Sequence, residues 1–164
     1  MHPIETEINT LLCRIDQNHN LKILGLDIGT KKIGVATGHA STKIALPYKV
    51  IKANSLKDNV RNIILLCKAD NITDIVIGIP YQQSEDSSIS SSARYILNLA
   101  TALASTNSIN IYFQDESFSS CAADGLLRET GLTRKKREQL DDAVAASIIL
   151  DSFFIKLKEL QMTL

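Results

Sequence analysis

The stretch ILGLDIGTKKIGVATG, residues 23–38, decides how this chain folds. Two apolar runs flank a short polar turn at 29–32, which predicts two strands, 21–28 and 33–37, joined by a tight connection. One carboxylate, Asp27, lies near the end of the first strand among apolar neighbours. Burying a carboxylate without a partner is costly. Asp27 therefore either meets a hydrogen-bond donor, a cation or a metal, or caps the turn that follows it.

The rest of the chain shows alternating strand and helix patterns. The remaining predicted elements are, in order, strand 43–52, helix 56–69, strand 73–80, a serine-rich loop over 81–92, helix 93–104, strand 109–113, helix 120–129 and helix 135–160. This order predicts an α/β sandwich with a mixed sheet. An apolar stripe from Ile4 to Ile15 predicts an N-terminal helical extension over 1–20, docked on a single domain formed by 21–164.

Composition limits the classes of function. A chain of 164 residues with 45% hydrophobic and 22% charged residues is typical of one globular domain. Because 18 basic residues balance 18 acidic ones, binding to a polyanion requires a local basic patch. The cysteines and histidines are scattered, which argues against a zinc site. The first 20 residues resemble neither a signal peptide nor a membrane span, so we expect a cytoplasmic protein with no membrane partner.

Two further acidic pairs lie at the ends of predicted elements. Asp115 and Glu116 follow the last predicted strand, and would share a sheet edge with Asp27 if those two strands run parallel. Asp141 and Asp142 open the apolar part of the last helix, and small residues one turn later allow that helix to approach the sheet, with Asp142 facing inward. The ordinary alternatives are solvated charges and helix capping.

Carboxylates that converge need a partner of opposite charge. At a separation of about 4 Å they repel by about 4 kcal/mol at a surface-like dielectric. Hard cations with oxygen ligands, Mg²⁺ or Mn²⁺, would offset that repulsion. Two such ions roughly 4 Å apart are suited to phosphodiester cleavage.

Several segments resemble the YqgF/RuvX family, a branch of the ribonuclease H-like superfamily related to RuvC resolvases. They are LGLDIGTKKIGVATG, IVIGIP, YFQDESFSS, GLTRKKRE and LDDAVAASIIL, spread over about residues 21–157. The resemblance implies a ribonuclease H-like fold, with a five-stranded mixed sheet in the order 3-2-1-4-5 flanked by helices. Members of that family are known as Holliday-junction resolvases and as nucleases that process the 5′ end of precursor 16S ribosomal RNA.

The resemblance also implies a catalytic set. Asp27, Glu116 and Asp142 match the family's acidic positions, and would both catalyse and hold Mg²⁺ or Mn²⁺. The chain departs from the family pattern at two places. Ser117 stands where the family has an arginine after Asp-Glu, which removes a phosphate contact, and YQQSED replaces the usual Leu-Asn-x-x-Gly after GIP.

Basic residues near these positions are expected to bind nucleic acid. The turn after Asp27 matches the family's turn beside the scissile phosphate. Four cations at the start of the last helix are unfavourable without an anion, which a phosphate backbone would supply. The predicted contacts are Thr30, Lys31, Lys32, Arg134, Lys135, Lys136 and Arg137.

We therefore expect a two-metal endonuclease that processes the 5′ end of precursor 16S rRNA, with precursor rRNA favoured over branched DNA. One alternative is a Holliday-junction resolvase. Another is a non-catalytic RNA-binding protein of ribosome assembly, suggested by Ser117. DIGT also resembles the first phosphate loop of sugar kinases and actin, which need a second such domain. Monomer and homodimer both remain open.

Overall fold

The computed structural model describes residues 6–80, 89–106, 108–116, 131 and 133–163. The strands are β1 (Lys22–Ile28), β2 (Lys32–His39), β3 (Ile44–Lys52), β4 (Asp74–Ile79) and β5 (Asn110–Asp115). The helices are α1 (Ile8–Gln17), α2 (Leu56–Ala69), α3 (Ser91–Ala104) and α4 (Arg134–Thr163). The predicted helix over 120–129, Ser117 and most of the predicted loop over 81–92 lie outside the described residues.

The strands form one mixed sheet in the order β3-β2-β1-β4-β5. β1 pairs antiparallel with β2 and β2 antiparallel with β3, whereas β1, β4 and β5 run parallel to one another. The predicted sheet order is therefore confirmed. The carboxyl ends of β1 and β5 consequently meet at the same edge of the sheet.

Each face of the sheet has its own apolar core. On β1, Leu24, Leu26 and Ile28 pack with α2 and α3, whereas Ile23 packs with α4 and α1. Since side chains alternate between the two faces of a strand, Asp27 projects from the α4 face. The face of β1 that carries the carboxylate is thus the one covered by the longest helix.

Strand glycines allow α4 to lie close to the sheet. A Cβ atom on Gly34 of β2 would overlap the carbonyl oxygen of Asp142 in α4. A Cβ atom on Gly78 of β4 would likewise overlap the Ile149 side chain. These glycines remove the bulk that would otherwise hold the helix away. The approach of α4 therefore depends on β2 and β4 as well as on the small residues of the helix.

The helix α1 packs on the same face as α4, as its apolar stripe predicts. Leu11, Leu12 and Ile15 are buried with Tyr112 and Phe153 in the second core. Polar contacts also hold α1 to the far end of β4. The described helices include none with both the length and the apolar character needed to cross a membrane.

Several element boundaries differ from the predicted ones by one to three residues, and two of them have a clear local cause. The strand predicted to end at residue 113 continues to Asp115, because Asp115 still pairs with Ile79 of β4. The helix predicted to begin at Ala93 begins at Ser91. The reason is the Ser90 side chain, whose Oγ accepts a hydrogen bond of 3.1 Å from the Ala93 N–H and caps the first turn.

Candidate active site at the carboxyl edge of the sheet

The structure brings the three predicted acidic residues to one edge of the sheet. Asp27 is the penultimate residue of β1, Glu116 directly follows β5, and Asp142 lies in the third turn of α4. All three are half-buried. Glu116 shares the α4 face because it lies four residues after Tyr112, whose side chain packs in the core below α4. Asp115 is exposed.

Two glycines fix the distances between these elements. Gly34 is the antiparallel partner of Asp27, and it also touches the backbone of Asp142. Gly34 therefore connects the strand that carries Asp27 to the helix that carries Asp142. On β4, a Cβ atom at Gly78 would lie 2.9 Å from Oε2 of Glu116, so the glutamate occupies space that only glycine leaves open.

The carboxylates affect one another's ionisation. Burial raises the pKa of Asp27 to about 7, helped by the charge of Glu116, by a proton shared with that carboxyl group, and by the charges of Asp142 and Asp141. Burial also raises the pKa of Glu116, and the nearby charge of Asp115 adds to this effect. The site therefore gathers more negative charge than the protein itself neutralises.

The donor set suits a hard cation, although the described residues form no complete cage. Among these residues, no three His, Cys, Asp or Glu side chains are gathered around a common point as ligands of one ion. Oε2 of Glu116 is buried and has no hydrogen-bond partner in the described part of the chain. Mg²⁺ is commonly held by one or two carboxylates, with water and substrate phosphates completing its shell. Asp27 and Glu116 fit that pattern.

The turn after Asp27 is held by the backbone. The Gly29 N–H donates to the carbonyl of Lys32 at 3.0 Å, and the Ala53 N–H donates to the carbonyl of Lys31 at 2.9 Å. The turn is thus closed without the Asp27 side chain, whose partner is Glu116 instead. Lys31 and Lys32 are exposed beside the carboxylates.

The basic residues at the start of α4 do not share one environment. Arg134 is exposed and pairs with Glu138 at 3.0 Å. Lys135 and Lys136 are also exposed, whereas Arg137 is half-buried, and its Nε is fully enclosed with no hydrogen-bond acceptor from the described segments. Their binding to nucleic acid remains a prediction.

The two glycines that position the site were not predicted from the sequence. Gly34 and Gly78 lie inside strands, where glycine weakens the ladder and often marks a close approach of another backbone. That signal was present in both strand patterns. It does not say which element approaches, and here the approaching element is α4.

Comparison with known proteins places this chain in a family. The model of the RuvX family, described as Holliday junction resolvase, matches residues 21–156. The chain is a member of the RuvX family. RuvX membership assigns it to a group of nucleases. The resemblance noted from the sequence motifs is confirmed.

Curated RuvX relatives cover most of the chain. A protein of Rickettsia conorii is 30% identical over 141 residues, which is 86% of this chain and 90% of the relative. A protein of Orientia tsutsugamushi is 38% identical over 130 residues, which is 79% of this chain and 81% of the relative. Both carry the provisional name pre-16S rRNA nuclease.

Solved structures with the same fold are more distant from this RuvX protein in sequence. RuvC of Thermus thermophilus bound to a Holliday junction matches with a TM-score of 0.56 at 14% identity, covering 85% of this chain and 97% of that one. The fowlpox virus resolvase bound to Holliday junction DNA matches with a TM-score of 0.54 at 13% identity, covering 84% and 99%. At such identities the likeness concerns the fold.

Proposed function

We propose that this chain is a divalent-metal-dependent endonuclease that hydrolyses phosphodiester bonds and processes the 5′ end of precursor 16S rRNA. The observation that carries the proposal is the carboxyl pair of Asp27 and Glu116, half-buried at the sheet edge with Asp142 beside it. Burial and mutual repulsion both disfavour ionised carboxylates, so this group does not stabilise the fold. Strongly perturbed acids of this kind are typical of active sites.

The chain's own residues have distinct roles in this reaction. Asp27 and Glu116 hold the cation from two rigid strand ends, and Asp142 approaches from α4, whose position depends on Gly34. When bound, one or two Mg²⁺ or Mn²⁺ ions supply activation of the attacking water and stabilisation of the leaving oxygen. At neutral pH the half-protonated Asp27 must lose its proton before it can act as a ligand.

The basic residues orient the substrate in this proposal. Thr30, Lys31 and Lys32 follow Asp27 directly and bind the phosphates next to the cleaved bond. The cations at the start of α4, Arg134 to Arg137, bind phosphates further along the strand. Contacts of this type fix the position of a nucleic acid without reading its sequence.

RNA is favoured over branched DNA as the substrate. The relatives at 30% and 38% identity are named for precursor 16S rRNA, whereas the DNA-bound structures are only 14% and 13% identical to this chain. Processing of rRNA would take place in the cytoplasm. A single copy of the chain would suffice for cutting one strand.

The description of the RuvX model supports a second candidate function, resolution of Holliday junctions. A resolvase must cut two strands that are related by symmetry. Two active sites are then needed, and a homodimer is the simplest way to supply them. Oligomeric state in solution is therefore a second observation that separates the two candidates.

Cleavage of two labelled substrates tests the proposal. A precursor 16S 5′-leader RNA and a four-way DNA junction are each incubated with the protein and Mg²⁺ or Mn²⁺. The Asp27→Asn variant removes one carboxylate at constant shape, and we expect its rate to fall by about a thousandfold. Asp58→Asn is the matched control, because Asp58 lies in the exposed first turn of α2.

Each pattern of cleavage selects one function. Cleavage of the RNA by the wild type and the control, but not by Asp27→Asn, supports the proposal. Cleavage of the junction alone supports the resolvase. If neither substrate is cut while RNA still binds, the proposal is wrong and the chain is a non-catalytic RNA-binding protein.

A further inference from the structure

A groove of about 730 Å³ opens next to the carboxylates, between the β1–β2 turn, the end of β3 and the start of α4. We call it the lysine groove. Its lining includes Thr30, Lys31, Lys32, Val50, Lys52, Ala53 and Gln139. Three of these residues, all in the turn, were expected from the sequence to contact nucleic acid.

Positive charge in the lysine groove is uncompensated. Lys32 and Lys52 are direct cross-strand partners between β2 and β3, and like charges in that position destabilise a sheet. Lys31 adds a third charge, and none of the described residues that line the groove is acidic. Within the described part of the chain, none of these three lysines forms an ion pair. A bound anion would turn this repulsion into attraction.

The lysine groove and the carboxylates share one face of the sheet. Ile33 and Ile51 are paired, and both pack in the core below α2 and α3. The next residues along each strand, Lys32 and Lys52, therefore project from the opposite face, which α4 covers. Gly34, the strand partner of the first carboxylate, lies on that face only two residues from Lys32, a distance of about 7 Å.

The remaining lining fits the other parts of a nucleotide. Val50 and Ala53 are half-buried and offer an apolar wall. Gln139 reaches the groove from α4 and brings an amide that both donates and accepts hydrogen bonds. One cavity thus contains positive charge for a phosphate, apolar surface for a sugar or base, and an amide for a hydroxyl or base edge.

We propose that the lysine groove binds the nucleotide of the RNA strand next to the cleaved bond, with Lys32 and Lys52 on its phosphate. The inference rests on the proposed function, because it takes the carboxylates as the place of cleavage. In this proposal Lys52, the last residue of the edge strand β3, positions the substrate. The groove guides the RNA strand from β3 along the α4 face toward Asp27.

Removal of single lysines from β3 tests the proposal. The Lys52→Ala and Lys49→Ala variants are made in the Asp27→Asn background, which prevents cleavage during the titration. Lys49 is the matched control, because it is an exposed lysine of the same strand that lies over the Tyr48 ring and does not line the lysine groove. The dissociation constant of a fluorescent 5′-leader RNA is measured between about 0.05 and 0.5 M salt.

One phosphate contact to a single strand contributes about 0.7 to the slope of log affinity against log salt. We therefore expect Lys52→Ala to lower the slope by about 0.7 and to weaken binding about fivefold near 0.1 M salt, while Lys49→Ala changes neither. Lys32→Ala combined with Lys52→Ala should cost less than the sum of the two, since both lysines act on one phosphate. Thermal unfolding at low salt checks folding, and Lys52→Ala should be at least as stable as its parent.

An unchanged slope in Lys52→Ala overturns the inference. So does an equal loss in Lys49→Ala, which would indicate a general surface charge. Binding is measured apart from turnover, so the two proposals fail separately: RNA binding that depends on Lys52, without cleavage by the wild type, supports the lysine groove and overturns the nuclease.

Discussion

Carboxylates lie at both ends of the parallel strands, on the same face of the sheet. The two ends differ in how many hydrogen-bond donors the protein supplies to the carboxylate oxygens. Asp74 begins β4 and has no exposed surface. Arg14 of α1 donates to both of its oxygens, at 2.6 and 2.9 Å, and the remaining donors are the hydroxyls of Thr73 and Tyr112 and the amide of Asn110. At the other end, Asp27 and Glu116 face each other, and Oε2 of Glu116 has no donor among the residues that the structure describes.

The contrast separates a structural carboxylate from a functional one. The Asp74 network satisfies its charge within the protein, so it needs no ligand and stabilises the docking of α1. At the carboxyl edge of the sheet, the charges of Asp27 and Glu116 are not balanced by hydrogen-bond donors, and this lowers the stability of the fold. Burial and acidity alone do not distinguish the two ends; the number of donors does.

The largest effect on stability is expected at the satisfied end. Asp74→Ala leaves Thr73, Asn110 and Tyr112 without this acceptor and Arg14 with only the Thr73 hydroxyl, and should destabilise the protein by about 4 kcal/mol in urea unfolding. Asp58→Ala, which removes an exposed pair with Arg61, should cost less than about 1 kcal/mol. Below the unfolding transition, Asp74→Ala should keep the wild-type rate of cleavage. A large loss of rate in the folded variant would contradict the division of roles.

A smaller loss of stability, with a larger loss of activity, is expected for Gly34→Ala. The new Cβ would overlap the Asp142 carbonyl, so α4 must shift, at a cost of about 2 kcal/mol. Gly25→Ala is the control, because its Cβ would meet the Cβ of Leu150 at 3.0 Å and the carbonyl oxygen of Ala146 at 3.2 Å, which are milder contacts with another part of α4. If both variants cleave RNA equally well, the contact at Gly34 does not position Asp142.

The last effect has the opposite sign. In the protein without metal, Asp27 has a pKa of about 7, raised from its ordinary 3.8. Its folded state therefore holds a proton that the unfolded state releases, so stability is full below about pH 4, falls between pH 4 and 7, and levels off above. Asp27→Asn should reduce this decline, leaving only the part that comes from the raised pKa of Glu116, and should be more stable than the wild type at pH 8. Urea unfolding in EDTA at several pH values gives the comparison, and parallel curves for the two proteins would contradict it.

Local sequence patterns predicted most elements because each strand or helix carries its own signal. Helical spacing located α2 at its observed bounds, and the turn residues after Asp27 separated β1 from β2. Acidic residues at element ends drew attention to Asp27, Glu116 and Asp142, and the parallel course of β1 and β5 brings the first two together. The sheet order itself came from family resemblance.

Contacts between distant residues could not be predicted in the same way. Arg14 and Asp74 are 60 positions apart, and no local pattern pairs them. The only trace was an acidic residue at the start of the otherwise apolar run TDIVIGIP. The meeting of Lys32 with Lys52 also depends on register, which the bulge between Val35 and Ala36 shifts.

The contacts of α1 impose an order on the assembly of the chain during synthesis. This helix leaves the ribosome before any strand, yet the acceptor of Arg14 lies in β4, and Tyr112 of β5 packs in the same core. The helix α1 therefore remains undocked, with its apolar stripe exposed, until most of the sheet has emerged from the ribosome. Docking of α1 is therefore a late step that requires a completed sheet. Before this step, a chaperone that binds exposed apolar helices would have the longest time to bind α1.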